Sequence, residues 1–345
     1  MKKNMQPDAD VKLLERACPS IRYRIRSEVL GQPESSQMMV GLQAEILRDP
    51  LVVQVLHWRQ ADGWLGWSFH GKAGMEAGIR ILCEKGVQRH HPALEQALDA
   101  LEKYPERLER GIGKVGKILD EKGFGGSWMI RAAVFAYAGV ENKAFLQAQI
   151  WQALNGFKAV LATDSIDDIV DTYRGKLVFK NNVQWPGIYH LRLLAFTHSW
   201  RSEENQKMVA EGVRRLIKLS PLPNISVRSK SQLMAPASFC MHDFNPEMGL
   251  MDDAHWMMWF HRMECLARLG VINAVPELQR QVEALARLLD ADGYFTKSLS
   301  HSYFTKWGAY PGMMLETNWR TPERRVVDLT FRSMLILHYA TGQAA

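Results

Sequence analysis

Along most of the chain apolar residues recur three and four positions apart. In "PALEQALDALEKYPERLERGIGKVGKIL" (92–119) and "VPELQRQVEALARLLD" (275–290), leucines, valines and alanines take that spacing while charges occupy the opposite face. Both stretches are predicted as amphipathic helices. A second set of segments is apolar or aromatic around most of its circumference: "GMEAGIRILCEKGV" (74–87), "WMIRAAVFAYAGV" (128–140), "WPGIYHLRLLAFTHSW" (185–200), "DDAHWMMWFHRMECLARLGV" (252–271) and "VVDLTFRSMLILHYATG" (326–342). A helix greasy on all sides is buried on all sides, so one layer of helices is expected inside another. Strand signals are scarce, "KLVFKNNVQW" (176–185) being the best of them, and the fold class read from the pattern is all-α.

The pattern also repeats. "VLHWRQADGWLG" (55–66), "GKILDEKGFGGSW" (116–128) and "LARLLDADGYFT" (285–296) share a hydrophobic helix end, an acidic residue, a glycine and an aromatic. Aspartate and glycine suit a turn and the aromatic suits a plug between layers, so each junction is where an outer helix hands over to an inner one. The greasy helices end near residues 86, 139, 198, 270 and 340, several of them at a glycine suited to the position after a helix, and this spacing of roughly 50 to 70 residues fits helix pairs in an array.

Helix, D-x-G-aromatic turn and inner helix in repetition resembles the α/α-toroid proteins of the prenyltransferase and squalene-cyclase repeat class, over residues 45 to 342. The resemblance implies a toroid domain at 46–345 behind an N-terminal helical extension at 1–45. It further implies a central cavity lined by aromatics and a few acids from inner-helix starts, taking a small apolar or amphipathic substrate. Members of the class cyclise or transfer isoprenoids, and other α/α toroids cleave polysaccharides. The class's own motifs are mostly missing here: "DSIDD" (164–168) is one residue too long for D-x-D-D, and no D-x-C zinc motif occurs. "DDIVD" does resemble the D-D-x-x-D magnesium motif of ionisation-type isoprenoid enzymes. Placed on a helix, Asp167 and Asp171 share a face beside Asp168 and would bridge magnesium to a diphosphate; a solvated outer-helix end is the plainer reading.

Two clusters carry the densest functional chemistry. At residues 239–270, Asp252 and Asp253 suit the cap of an inner helix, and Asp252, Asp253, His255 and Trp256 are candidates to line a cavity there. His261 and Glu264 lie three apart, a spacing more typical of a hydrogen-bonded core than of a metal site. Residues 292–332 form a loop far longer than usual, rich in aromatics, and long loops of that kind cover binding sites. Tyr303, Trp307, Tyr310 and Trp319 are its candidate stacking wall, with His301, Glu316, Arg320 and Arg325 as polar contacts. The plainer alternative packs those aromatics onto the domain and pairs Asp328 with Arg332. Carboxylates facing one another would suit glycosidase or lyase chemistry, and Asp62, Asp253, Asp292 and Glu316, from separate repeats, are the candidates. The "DGW" junction adds Trp64, Trp67 and His70 as substrate contacts.

Composition narrows the classes. Hydrophobic residues make up 47% of 345, enough for a large core. A net charge of +6 comes from 43 basic and 37 acidic residues that interleave, and basic clusters such as "IRYRIRSE" and "NWRTPERRVVD" do not continue into a long basic stripe, which disfavours nucleic acid. No spanning helix or signal peptide is read, and a cytoplasmic protein with four reduced cysteines is expected. Phosphate loops, G-x-S-x-G elbows and H-E-x-x-H pairs are absent, and "GIGKVGK" lacks the strand a dinucleotide motif requires. Three readings stay open: an isoprenoid-cyclase-like enzyme, a carbohydrate-active toroid and a non-catalytic binding protein. Magnesium at "DDIVD" is the one cofactor considered.

Overall fold

A computed structural model describes residues 7–300, 302–308 and 311–342. Its helices are α1 (Pro7–Arg16), α2 (Pro19–Arg24), α3 (Gln37–Ile46), α4 (Pro50–His57), α5 (Met75–Glu84), α6 (Pro92–Lys103), α7 (Lys114–Glu121), α8 (Ser127–Tyr137), α9 (Ala144–Val160), α10 (Ile188–Ala195), α11 (Glu203–Leu219), α12 (Asp253–Arg268), α13 (Pro276–Arg287) and α14 (Pro322–Ala340). Two antiparallel hairpins, β1 (Val170–Tyr173) with β2 (Lys176–Phe179) and β3 (Val227–Ser229) with β4 (Gln232–Met234), are the strands among the described residues. The fold is all-α, and none of its described helices is long and apolar enough to cross a membrane.

The five greasy segments became α5, α8, α10, α12 and α14, and each packs on the next in that order. Their buried faces hold large aromatics. Trp256, Trp259, Phe260 and Phe295 stack edge-on or tilted at 5.3–5.9 Å, each ring removing apolar surface worth about 1.5–3 kcal/mol. The amphipathic helices flank this series: α4 and α6 pack on α5, α7 on α8, α9 on α10 and α13 on α14. One expected helix is divided. Pro105 cannot continue α6, so 92–119 becomes α6, a 3-10 turn at Pro105–Glu109, a bend at Gly111 and Gly113, and then α7.

The D-x-G junctions at 60–66 and 290–296 are the same turn built twice. Gln60 N–H donates to Trp64 O at 2.8 Å and Gly63 N–H to Gln60 O at 3.0 Å; Asp290 N–H donates to Tyr294 O at 2.9 Å and Gly293 N–H to Asp290 O at 3.0 Å. Both glycines sit at positive φ, +85° and +83°, where a side chain is strained. The third junction differs: Asp120 accepts backbone N–H bonds from Gly126, Trp128 and Met129, so its carboxylate caps the start of α8.

The N-terminal helices join the common core. Leu13, Cys18, Ile21 and Ile25 are buried, α1 touches α14, and Arg24 and Glu28 reach the interior ionic network described below. All four cysteines are free thiols.

Candidate active site

Helix α5 begins without a side-chain cap: its first amides, Met75 N–H and Glu76 N–H, donate to Ser68 O at 2.9 Å and Phe69 O at 3.0 Å. That satisfies orphan donors and folds the 67–71 loop back over the helix start. Glu76 thereby stands, fully buried, in the first turn, where the helix dipole favours a carboxylate. Its Oε2 lies 2.6 Å from His70 Nδ1 and its Oε1 accepts from Tyr189 OH at 2.5 Å, with Arg192 Nη1 at 3.9 Å. Burial alone would favour neutral Glu76. The His70 bond and charge, Tyr189 and Arg192 outweigh it and hold the carboxyl below its ordinary value. An ionised carboxylate only accepts, so His70 Nδ1 carries the proton and Nε2 is the free face of the ring. Burial pulls the His70 pKa down, but Glu76 more than offsets this and the value is raised. With its side chain 22% exposed, His70 is the member of the set that meets solvent.

Behind it, Arg192 donates from Nε to His261 Nε2 at 3.0 Å, which fixes His261 as a neutral acceptor. Burial, then Arg192, Arg80 and Arg332, pushes the His261 pKa far down, so this histidine belongs to the core. In front, Arg110 ties two parts of the loop together. Its carbonyl accepts from Phe69 N–H at 2.9 Å and His70 N–H at 3.3 Å, and its guanidinium lies 5.1 Å over the ring of Trp67, an indole left 77% exposed. The loop thus carries an oriented imidazole that meets solvent and, three residues before it, an exposed indole. No protein-family model, curated protein or solved structure matches the chain.

The close approach at Gly111 secures this loop. Gly111 has φ +91°, and a Cβ there would lie 2.1 Å from His70 O. Gly111→Ala is expected to lower stability by about 2 kcal/mol or more, through strain and displacement of the loop. A urea-unfolding midpoint equal to that of the parent chain would refute the fit.

The other sequence candidates lie in separate surroundings. Trp64 is buried under Arg107 at 5.2 Å, and Asp62 is held by Arg107 at 2.6 Å and by Trp64 N–H at 3.1 Å. Asp252 caps α12 by accepting His255 N–H and contacts the exposed His255 ring, while Asp253 accepts from Ser300 N–H at 3.0 Å. Trp256 is buried in the aromatic cluster. Asp292 forms an exposed pair with Lys12 at 2.6 Å. Glu316 is wholly buried, accepting from Cys18 N–H at 2.8 Å and pairing with Arg324. Arg320 is exposed, and Tyr303 is 43% exposed with Lys306 over its ring. His301 and Tyr310 lie outside the described residues.

The long loop runs inward. Arg80 Nη2, Arg332 Nη2 and Lys85 Nζ donate to the alternate carbonyls Pro311 O, Met313 O and Leu315 O at 2.9, 2.6 and 2.7 Å. Trp307 is buried with Arg80 at 5.2 Å. The expected Asp328–Arg332 pair is replaced. Asp328 Oδ2 accepts Leu315 N–H, Glu316 N–H and Trp319 Nε1–H, because those loop donors converge on it. Arg332 instead bridges Glu84 at 2.9 Å and Glu264 at 3.0 Å. Arg24, Glu28 and Arg268 complete this buried network, Arg268 meeting both Glu28 and Glu264.

The helical premise for "DDIVD" does not hold. Asp167 and Asp168 lie in a 3-10 turn and Asp171 on β1, so they share no helix face. Ser165 starts that turn, and Asp168 Oδ2 accepts the Asp164 and Ser165 N–H groups at 2.9 and 2.8 Å. Among the described residues no cluster of three His, Cys, Asp or Glu side chains could hold a metal ion.

Glu76, Tyr189 and Arg192 were not read from sequence. The signal was the 4-residue spacing of Glu76, Arg80 and Glu84, a polar stripe within an otherwise apolar helix. These charges also set a pH dependence. Burial pushes His190 down to about 4 and His261 well below its ordinary value, so each stabilises the fold above about pH 6.5 and loses that contribution as pH falls. Burial opposes ionisation of Glu28 and Glu264 too, but Arg24 and Arg268 for the first and Arg268 and Arg332 for the second lower their values. Their contribution is complete above about pH 4.5 and is lost progressively as pH falls from there toward their lowered values. His70, with a raised value, acts in the opposite sense. The urea midpoint is expected to fall from pH 7 to 5 and more steeply below; a midpoint rising on acidification would contradict these assignments.

Proposed function

We propose that the chain is an α/α toroid with α5, α8, α10, α12 and α14 as its inner helices, and that it transfers protons on a carbohydrate bound where α5 begins. The toroid is supported by the consecutive packing of those helices and by the Arg332–Glu84 bridge that links the last to the first. The observation that carries the function is the accessible His70 imidazole held through Nδ1 by buried Glu76. A base so oriented presents Nε2 to a substrate proton. Trp67 offers the flat apolar face on which a sugar ring stacks, and the charged interior disfavours an isoprenoid chain, which needs apolar walls. Because the four candidate carboxylates are held by different partners, abstraction of a carbon-bound proton, as in elimination or epimerisation, suits the site better than a two-carboxylate hydrolysis.

A substrate panel tests this: neutral oligosaccharides, uronic-acid oligosaccharides, and isoprenyl diphosphates with magnesium. Turnover is expected on a carbohydrate and is expected to fall about 10²–10⁴-fold in His70→Gln. Turnover of a diphosphate instead, or full carbohydrate activity in His70→Gln, would overturn the proposal.

A further inference from the structure

A second pair of reactive side chains lies between β4 and α12 and shares no residue with the His70 site. Leu222 stands between Pro221 and Pro223, whose rings fix the backbone and stiffen that short segment. Against it runs 236–244, held by hydrogen bonds along its length. Ser238 N–H donates to Pro236 O at 2.8 Å, Ile188 N–H to Ala237 O at 2.9 Å, Met241 N–H to Ser238 O at 2.9 Å and Leu222 N–H to His242 O at 2.6 Å. The turn so formed keeps Cys240 at φ +66°, a left-handed conformation uncommon for a residue with a side chain, and buried Arg262 fastens it by donating from Nη1 to Cys240 O at 2.7 Å. Backbone strain over-determined by its surroundings clusters at functional sites.

The turn aims a serine at a histidine. His242 Nδ1 lies 3.2 Å from Leu222 O, which can only accept, so Nδ1 carries the proton and Nε2 of the neutral ring is the base. Ser238 Oγ lies 3.3 Å from that Nε2 and donates to it, within the looser reach such pairs show before substrate binds. Both residues are partly exposed, and both line a cleft of about 30 Å³ whose walls include Phe179, Trp185, Leu222 and Met241. One water needs about 10–15 Å³, so the cleft takes one or two heavy atoms, and its walls suit an apolar group. The methyl of an acetyl ester has that size, with the carbonyl at the mouth beside Ser238 and the alcohol part in solvent. We propose that Ser238 and His242 are a nucleophile and its base that hydrolyse small acetyl esters, independently of the reading given to His70. His242 Nε2 takes the hydroxyl proton as Ser238 Oγ bonds the acetyl carbon; the bond from that carbon to the alcohol oxygen then breaks, and the alcohol leaves with the proton. Water next adds to the acetyl carbon and gives a proton to Nε2, the carbon–Oγ bond breaks, Oγ takes the proton back, and acetic acid leaves. Leu222 O steadies the imidazolium through Nδ1–H in both halves.

The test uses the whole chain and two probes whose reacting end is a methyl group: p-nitrophenyl acetate, and methanesulfonyl fluoride, which a serine nucleophile attacks at sulfur with loss of fluoride. Acetate ester hydrolysis is expected, with kcat/KM at least about tenfold above that for the octanoate ester, whose acyl chain outgrows the cleft. Methanesulfonyl fluoride is expected to abolish it, and peptide mapping by mass spectrometry to place the methanesulfonyl group on Ser238. His242→Gln, with its fold checked by circular dichroism, is expected to slow that labelling about 10²–10⁴-fold. Labelling of the parent chain decides the matter even if the variant does not fold. No hydrolysis, preference for the octanoate, a methanesulfonyl group found only on other residues, or undiminished labelling of folded His242→Gln would each overturn the proposal.

Discussion

Arg332→Met is expected to destabilise the chain by about 3–5 kcal/mol, a large part of a typical folding free energy. The reason lies in what the substitution leaves behind. Arg332 is 2% exposed and bonds Glu84, Glu264 and Met313 O at once. Glu264 keeps Arg268 at 2.9 Å, but Glu84 is left with Arg24 at 3.9 Å and becomes a nearly uncompensated buried charge. The rescue follows from the same logic. Glu84→Gln in the Arg332→Met background removes the stranded charge and is expected to recover a substantial part of the loss. Urea denaturation of the two single variants and the double variant gives the coupling directly. Additive losses would show that Glu84 and Arg332 do not depend on one another.

Glu76→Gln is expected to reduce kcat on the proposed substrate by about 10²–10⁴-fold while leaving the helix content unchanged. Two effects combine. The amide no longer fixes the Nδ1–H tautomer, so Nε2 is not reliably the free base, and the negative charge that raises the His70 pKa is lost. For a base that works unprotonated, the rising limb of the pH–rate profile therefore moves to lower pH in the variant. A variant with full kcat and an unmoved limb would show that Glu76 is only a structural partner.

Much of the fold was legible because its signals are local. Apolar spacing gave the five greasy helices, and D-x-G gave two turns whose hydrogen bonds coincide at Gly63 and Gly293. Asp252 was recognisable as a cap by position alone. The interior ionic network was not legible, since its pairs join residues such as Glu28 with Arg268 and Glu84 with Arg332 that no sequence spacing connects. Local rules also misled where nearer partners won. Asp328 was expected to pair with Arg332 one turn on, but three loop donors reach it first. At "DDIVD", Ser165 starts a 3-10 turn and Asp168 caps it, which ends any shared helical face. His70 was readable as a candidate, but its orientation was not, because in sequence Glu76 is one more charge on a buried helix and Tyr189 lies on another.

The most direct measurement is the protonation of His70 itself, followed by NMR of ¹⁵N-histidine-labelled protein across pH 4 to 9, in the parent chain and in Glu76→Gln. The expected result is a His70 midpoint above the ordinary value of about 6.5, with Nδ1 protonated in the neutral ring, and a fall in that midpoint when Glu76 becomes glutamine. A midpoint at or below the ordinary value, or one that the substitution does not move, would contradict an imidazole poised by Glu76 and with it the proposed proton transfer.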